Sequence, residues 1–325
     1  MISSSFYVSG SSGSLDPSLR QLTGDAWDAM SSPLSVRRFV REYGMNCPSS
    51  AMKLATDALL SDCKFEAGHD GPHVEVETLC QVCGAALLGS LPRSRAQKVY
   101  STDSSQSRQG HTGSLLFDKS RAQIKIPQTV DYLTARLSVA HEIGHLLIHK
   151  RGTAYDHATL RLGSSPQEEA LAEYAARLLL IPSRFCNPSP NENLAEYAIK
   201  QATRLRVTIH SVVTRFGDPD VRVPSVRGAI LWRMHPDVSA SEPLSNRLTP
   251  QWHLCPDAFI PIRNCKARSN SLVSSIASVT KSAAMSSLEE VNIGTLIGYF
   301  RVDAFAWGSV DDGTRLVLSV FKTPL

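Results

Sequence analysis

The chain has 325 residues, 42% of them hydrophobic and 20% charged, and a formal net charge of +4. No stretch approaches the ~18 consecutive apolar residues of a membrane helix, and the first residues lack the basic and apolar regions of a secretory signal. Lysines and arginines are scattered, so the small positive charge does not predict direct nucleic-acid binding. We therefore expect a cytoplasmic protein without a membrane partner, long enough for two domains.

The first part of the chain is predicted to be loosely organised. Residues 1–48 form a loose N-terminal segment that is Ser- and Gly-rich up to about residue 30. A short helix is predicted over residues 33–43. A longer helix, capped by Ser49 or Ser50, is predicted to run to about residue 60.

The seven cysteines are an odd number without the spacing of a disulfide framework, which favours reduced thiols. Cys80 and Cys83 are two residues apart, as in half of a zinc knuckle, and Cys63, His69 and His73 lie upstream. A closed structural zinc site needs four ligands, and no second C-x-x-C pair follows. Two hypotheses stay open: a second metal site, or a short helix on which Cys80 and Cys83 act as small hydrophobic residues.

A polar, Ser- and Gln-rich stretch at residues 101–113 predicts a loop. Apolar runs at 115–117 and 123–126 then flank the polar residues 118–121. This pattern predicts a β-hairpin.

Residues His141, Glu142 and His145 form the sequence H-E-x-x-H. On a helix, positions i and i+4 share one face, about 5–6 Å apart at Cβ, so both imidazoles can hold one Zn²⁺ through nitrogens at roughly 2.0–2.1 Å. Glu142 is beside the first ligand, where its carboxylate can take a proton from the attacking water. The alternative is a buried helix with two satisfied core histidines.

Apolar residues recur here at three- and four-residue steps and predict the required helix, with Pro127 and Thr129 at its start. These apolar positions are Tyr132, Leu133, Leu137, Ala140, Ile143, Leu146 and Leu147.

A catalytic zinc needs a third protein ligand, and a second helix supplies candidates. Residues 167–182 are Ala- and Leu-rich, acidic in the first turn and ended by Pro182. We favour Glu169 as the third ligand, with Glu173 one turn later accepting an N–H from a ligand histidine. Glu168 is the alternative ligand. Each of these carboxylates also suits the first turn of any helix, where the dipole favours negative charge.

These two helices resemble the ImmA/IrrE family of metallopeptidases. Residues 140–149, Ala-His-Glu-Ile-Gly-His-Leu-Leu-Ile-His, match the family's metal helix, "AHE-x-x-H" closing with "LLxH". In the family's second helix, E-x-x-A-N-x-F-A-A-x-L-L-M-P, Glu169 falls on the ligand glutamate, Ala172 on the alanine and residues 179–182 on "LLMP". The resemblance covers roughly residues 50–215 and is specific only at the two helices.

Two departures from the family pattern keep the alignment open. Glu173 stands where Asn is usual, and Ala175 stands where Phe is usual. A shift by one residue would put Tyr174 on the Phe and Glu168 on the ligand, but it spoils the Leu-Leu-x-Pro match. We prefer the gapless alignment.

The resemblance implies an α+β fold in which residues 49–217 form a compact helical gluzincin-like zinc peptidase domain with a small antiparallel sheet. It implies Zn²⁺ held by His141, His145 and Glu169, although Mn²⁺ also fits this ligand set. It implies that an edge strand of the hairpin lines the cleft and pairs with the substrate backbone; the alternative is a hairpin within the core sheet. Some members cleave a helix-turn-helix transcriptional repressor and so control stress response or element transfer, which makes such a repressor the expected partner.

Three residues after the metal helix could stabilise the developing oxyanion: His149, Tyr155 and His157. His149 could equally contact a ligand histidine or pack in the core.

The remainder of the chain is predicted to add two helices and a second domain. Helices at 194–205 and 209–216, the latter capped by Thr208, form a helix-turn-helix or simply complete the domain, and we favour the second. Residues 218–325 are predicted to form a C-terminal α+β domain for sensing or substrate docking. Its predicted strands lie at residues 229–232, 296–307 and 314–322, with a hairpin turn at 311–313 and an ambiguous segment at 272–284.

The sequence thus predicts a zinc-dependent endopeptidase acting on a protein substrate. The alternative is a non-catalytic regulatory protein that uses the same fold to bind a repressor or DNA. Glu142 favours catalysis, because a structural zinc site does not need a carboxylate beside its ligands.

Overall fold

The computed structural model describes residues 27–63, 73–91, 113–118, 121–151, 154–155, 165–221, 223, 226–234, 247–254, 271–279, 281–293, 296–309 and 315–323. Several predicted features lie outside these ranges: the loose segment up to residue 26, the loop at 101–112, the turn at 311–313, and the residues His69 and His157. Within the described residues, no helix is long and apolar enough to cross a membrane.

The fold is α+β, as predicted, and its first part is mainly helical. The helices are α1 (Leu34–Glu42), α2 (Pro48–Asp62), α3 (Val76–Cys83), α4 (Tyr132–His149), α5 (Pro166–Leu180), α6 (Leu194–Leu205) and α7 (Ile209–Arg215). Each lies within a few residues of its predicted position. Helix α7 buries all but one of its residues, which leaves little of it exposed for contact with a DNA groove.

Two helix starts differ from the prediction. Asp131 caps α4, because its side chain accepts hydrogen bonds from the amides of Leu133 and Thr134, so the start is not at Pro127 or Thr129. Helix α2 begins at Pro48, whose missing N–H costs nothing in the first turn, so Ser49 and Ser50 lie inside the helix and do not cap it.

The small sheet contains β1 (Ala85–Leu88), β2 (Ser114–Asp118) and β3 (Arg121–Lys125) in the order β1-β3-β2. The predicted hairpin is confirmed as β2 and β3, which pair antiparallel. The sheet is mixed and not wholly antiparallel, because β1 runs parallel to β3. Strand β2 therefore forms one edge of this sheet. A short antiparallel pair, β4 (Lys150–Arg151) and β5 (Ala154–Tyr155), follows α4.

The C-terminal part is a five-stranded antiparallel sheet with a short helix on one face. Its elements are β6 (Val226–Met234), β7 (Leu248–Leu254), α8 (Leu272–Ala277), β8 (Ala283–Ile293), β9 (Leu296–Trp307) and β10 (Leu316–Lys322), in the strand order β7-β6-β10-β9-β8. Strands β6, β9 and β10 were predicted, and the ambiguous segment resolves into α8 and the start of β8. Strand β7 was missed because Pro250 argues against a strand, but a proline is tolerated at a sheet edge.

Central strand β10 is buried on both faces. Leu316, Leu318 and Val320 pack into the core of the helical part, whereas Val317 and Phe321 pack with α8 in a second cluster. The sheet therefore forms a layer between the helical part and α8. The predicted domain boundary at residue 218 stays a prediction, and the residues on its two sides share one hydrophobic core.

A buried carboxylate of the sheet also contacts the helical part. Asp303 accepts a hydrogen bond from the backbone amide of Leu194 at 3.0 Å, at the start of α6, and pairs with Lys322. The positive end of the α6 dipole favours a carboxylate in this position. Together with the shared core, this contact fixes the sheet against α6.

The end of α5 is held by a buried cluster of ionic groups. Arg177 donates to both carboxylate oxygens of Asp218 at 2.9 Å, and Arg215 donates to Asp218 at 3.2 Å and to Asp220 at 2.6 Å. Tyr174 donates to Asp220 at 2.9 Å. Two arginines and two aspartates balance in charge, so each buried ion has a partner.

We predict that Asp218→Asn lowers the free energy of unfolding by about 3–5 kcal/mol, because it leaves two buried arginines without their shared carboxylate. Urea unfolding followed by circular dichroism measures this change. Asp57→Asn is the control, since Asp57 forms an exposed pair with Lys53 that contributes at most about 1 kcal/mol. Equal effects of the two substitutions would contradict a structural role for the cluster.

Candidate metal centre

The two histidines of the H-E-x-x-H sequence lie on the buried face of α4. His141 is 2% exposed and His145 is 8% exposed. Their Nε2 atoms are 3.1 Å apart, and their rings meet edge to face with centroids 4.8 Å apart. The two nitrogens therefore point toward one common position.

The carboxylate of Glu169, in the first turn of α5, faces the same position. Its oxygens lie 3.2 Å from Nε2 of His141 and 3.5 Å from Nε2 of His145. Two ligands bound at 2.0–2.1 Å to a tetrahedral ion are about 3.3 Å apart, so the two imidazole nitrogens and the Glu169 carboxylate have the spacing of zinc ligands. Among the described residues, these three form the cluster of His, Cys, Asp or Glu with metal-ligand spacing.

The electrostatics of this cluster suit a cation. Burial raises the pKa of Glu169, but hydrogen bonds from His141 and His145 outweigh it and hold that pKa well below its usual range. Burial lowers the pKa of His145, but the hydrogen bond and charge of Glu169 raise it more. Glu169 is therefore ionised, and its negative charge stabilises positive charge placed among the three side chains.

Glu142 follows His141 on α4, and its carboxylate lies against the start of strand β2. It is buried, with 7% of its surface exposed. A Cβ atom added at Gly113, the residue before β2, would lie only 2.9 Å from Oε1 of Glu142 and 3.1 Å from Ile126. A glycine at this position leaves space for the carboxylate directly beside the edge strand.

The distance between the two ligand helices depends on Gly144, which lies between the two histidines in sequence. A Cβ atom at Gly144 would lie 2.8 Å from Cα and 2.9 Å from the carbonyl oxygen of Ala172 in α5. Real Cβ atoms do not approach backbone atoms that closely, so any side chain here would push α4 and α5 apart. This role of Gly144 was not predicted, although a glycine inside a helical pattern is a signal of close packing.

The two other candidate glutamates are not part of this cluster and make other contacts. Glu168 accepts a hydrogen bond from the backbone amide of Ser165 and forms a capping box at the start of α5. Glu173 is half-exposed and lies 3.9 Å from Arg177. Glu169 is thus the glutamate that the gapless alignment and the geometry both place beside His141.

His149 lies at the C-terminal end of α4, where its Nε2 atom is 3.5 Å from Oε1 of Glu168. A role for His149 or Tyr155 in oxyanion stabilisation stays a prediction, as does the hydrogen bond predicted from a ligand histidine to Glu173.

The cysteine pair lies on α3, which agrees with the short-helix hypothesis, and Cys80 and Cys83 are buried and not in a disulfide. Burial raises the pKa of both thiols to about 12, which disfavours the thiolate form that binds metals. The side chain of His73 instead contacts Glu75 at 2.7 Å. Within the described part of the chain these groups form no metal cluster, and Cys80 and Cys83 pack in the hydrophobic core.

Comparison with known proteins matches the part of the chain that carries this site. The family model Peptidase_M78, the IrrE N-terminal-like domain, matches residues 104–216. This range contains the hairpin, both ligand helices and all four residues described above. Residues 104–216, about a third of the chain, are thus similar to the M78 peptidase family, and we call this part the M78 domain. The resemblance inferred from the two helices is thereby confirmed.

A Mycobacterium tuberculosis transcriptional regulator is similar in structure, with 12% sequence identity, a TM-score of 0.41, and coverage of 90% of this chain and 82% of that chain. A TM-score of this size does not establish a common fold, so that protein's role does not transfer. No curated protein matches the chain in sequence.

We predict that Gly144→Ala lowers the free energy of unfolding by about 1–3 kcal/mol and reduces the zinc content of the purified protein, because it separates the ligand helices. At an exposed glycine within a helix, the same substitution would raise the free energy of unfolding, since alanine is the better helix former by about 1 kcal/mol. Gly144→Ser should lower both quantities further. Wild-type stability together with full zinc content in both variants would show that α4 and α5 do not meet at Gly144.

Proposed function

We propose that the M78 domain is a zinc-dependent endopeptidase that hydrolyses a peptide bond in a protein substrate. The observation that supports this most is the carboxylate of Glu142, buried beside a complete set of three ligands but not needed as a ligand. Structural zinc sites use four protein ligands, whereas catalytic sites use three and keep a position open. A set of His141, His145 and Glu169 with a neighbouring carboxylate that is not one of the three ligands has the catalytic composition.

The donor set fits zinc in number, type and spacing. Bound among these residues, Zn²⁺ supplies Lewis acidity toward the scissile carbonyl and the attacking water; Mn²⁺ is the second ion that the same donors accept. Glu142 then accepts a proton from that water and later donates it to the leaving nitrogen. His141, His145 and Glu169 would hold the ion and would not change in protonation or bonding during the reaction.

The edge strand β2 supports a binding mode for the substrate. Strand β2 pairs with β3 on one side only among the described strands, and its N-terminal end adjoins Glu142 at Gly113. An extended peptide that adds to this edge would form main-chain hydrogen bonds largely independent of its sequence. We propose that this places the scissile bond between Glu142 and the ligand cluster.

We propose a helix-turn-helix transcriptional repressor as the substrate, because some members of the ImmA/IrrE family, which this chain resembles, cleave such proteins. Cleavage would release the repressed genes, and the C-terminal sheet would serve sensing or substrate docking.

The proposal predicts separate effects for the base and the ligand. Glu142→Gln should retain about one zinc per chain but lose cleavage by at least about a hundredfold, because it removes the general base. Glu169→Ala should lose zinc and cleavage together. Zinc content and cleavage of a candidate helix-turn-helix repressor measure both effects. If Glu142→Gln cuts as well as wild type, the domain is a binding module and not a peptidase.

Gly113→Ala tests the placement of the edge strand. The added methyl group should displace Glu142, so we expect kcat to fall by about tenfold to a hundredfold while zinc content is unchanged. Ser114→Ala is the matched control, because the exposed Ser114 is the next residue of the same segment. Equal activity of Gly113→Ala and Ser114→Ala would show that β2 does not lie beside the catalytic centre.

A further inference from the structure

We propose that Glu168 is a positioning residue for the metal centre. Its buried carboxylate contacts residues of α1, α4 and α5, and we call this set of contacts the joint. The joint fixes the position of the adjacent Glu169 relative to His141 and His145. The inference rests on the metal site of the proposed function but not on which bond that site cleaves.

Both oxygens of Glu168 have defined partners. Oε2 accepts a hydrogen bond from the backbone amide of Ser165 at 2.8 Å, and the amide of Glu168 donates to Oγ of Ser165 at 3.2 Å. Oε1 accepts a hydrogen bond from the hydroxyl of Ser35 in α1 and lies 3.5 Å from Nε2 of His149 in α4. One side chain therefore contacts three helices.

The contacts go beyond what a helix cap requires. A capping box needs one carboxylate oxygen, turned back to its own helix, and it forms equally well at an exposed helix end. Here the carboxylate is only 4% exposed, and Ser35 and His149 are buried as well. Burying a carboxylate is costly unless it is hydrogen-bonded on all sides, so the second oxygen and its partners act as a joint between helices.

The geometry relates this joint to the ligands. His149 follows His145 by one helical turn, and Glu168 precedes Glu169 by one residue. The contact between His149 and Glu168 therefore lies one turn along α4 from the contact between His145 and Glu169. Because Glu168 and Glu169 are adjacent in the first turn of α5, a shift of the joint moves the ligand carboxylate with it.

The test compares two variants that loosen the joint with one remote control in the full-length chain. Ser35→Ala removes one hydroxyl, and Glu168→Gln keeps the capping box, which glutamine also forms, while removing the charge. Thr208→Ala is the control, because Thr208 caps α7 through the amide of Ser211, away from the metal centre. Zinc affinity is measured by competition with a chelator, and ligand geometry by the visible absorption of the Co²⁺-substituted protein.

We expect both joint variants to bind zinc about tenfold more weakly than wild type and to change the Co²⁺ spectrum, because Glu169 is then held less firmly beside the histidines; tenfold is the lower end of the loss seen when groups that orient metal ligands are removed. Thr208→Ala should lower the melting temperature alone. If Ser35→Ala and Glu168→Gln lose stability but keep wild-type zinc affinity and Co²⁺ spectrum, Glu168 is a helix cap only and the inference is wrong.

The outcomes also separate this inference from the proposed function. If Glu168→Gln does not fold, Ser35→Ala decides the question. Wild-type protein that binds zinc but cuts no substrate would contradict the proposed function and leave the joint intact. Wild-type protein that binds neither Zn²⁺ nor Co²⁺ would overturn both.

Discussion

The close contact between α4 and α5 is the constraint on which the metal centre depends. The ligand atoms of His141, His145 and Glu169 lie within 4.8 Å of one another. This is possible because Gly144 has no side chain, so the backbone of α5 can approach α4 at Ala172. His141 and His145 come from α4 and Glu169 from α5, so a change in helix separation of the size of one methyl group alters both distances from the histidines to Glu169. Interiors packed at crystal density transmit such a change and do not absorb it.

Buried polar groups hold α5 at both ends. At its start Glu168 contacts Ser35 and His149, and at its end Arg177 is bonded to Asp218. The five-stranded sheet then packs against the helical part through the alternate residues of β10. The C-terminal sheet thus shares a core with the helical part that carries the metal centre, which gives changes in the sheet a direct physical route to α6 and its neighbours.

The sequence was most informative where chemistry demands a fixed spacing. The four-residue step from His141 to His145 predicts both the helix and the shared face, and the acidic turn before a Leu-rich helix supplies the carboxylate. The long-range contacts could not be predicted, because nothing local in the sequence connects Ser35 to Glu168 or Gly113 to Glu142. Strand β8 was not recognised in full, since as an exposed edge strand it lacks the apolar alternation of a half-buried one.

X-ray absorption spectroscopy at the zinc edge of the zinc-loaded wild-type protein tests whether His141, His145 and Glu169 bind the metal. We expect nitrogen and oxygen ligands at about 2.0–2.2 Å, with the outer-shell scattering of two imidazole rings. Sulfur ligands at about 2.3 Å would place the zinc on cysteines, and a spectrum with one imidazole or none would contradict a centre built from His141, His145 and Glu169.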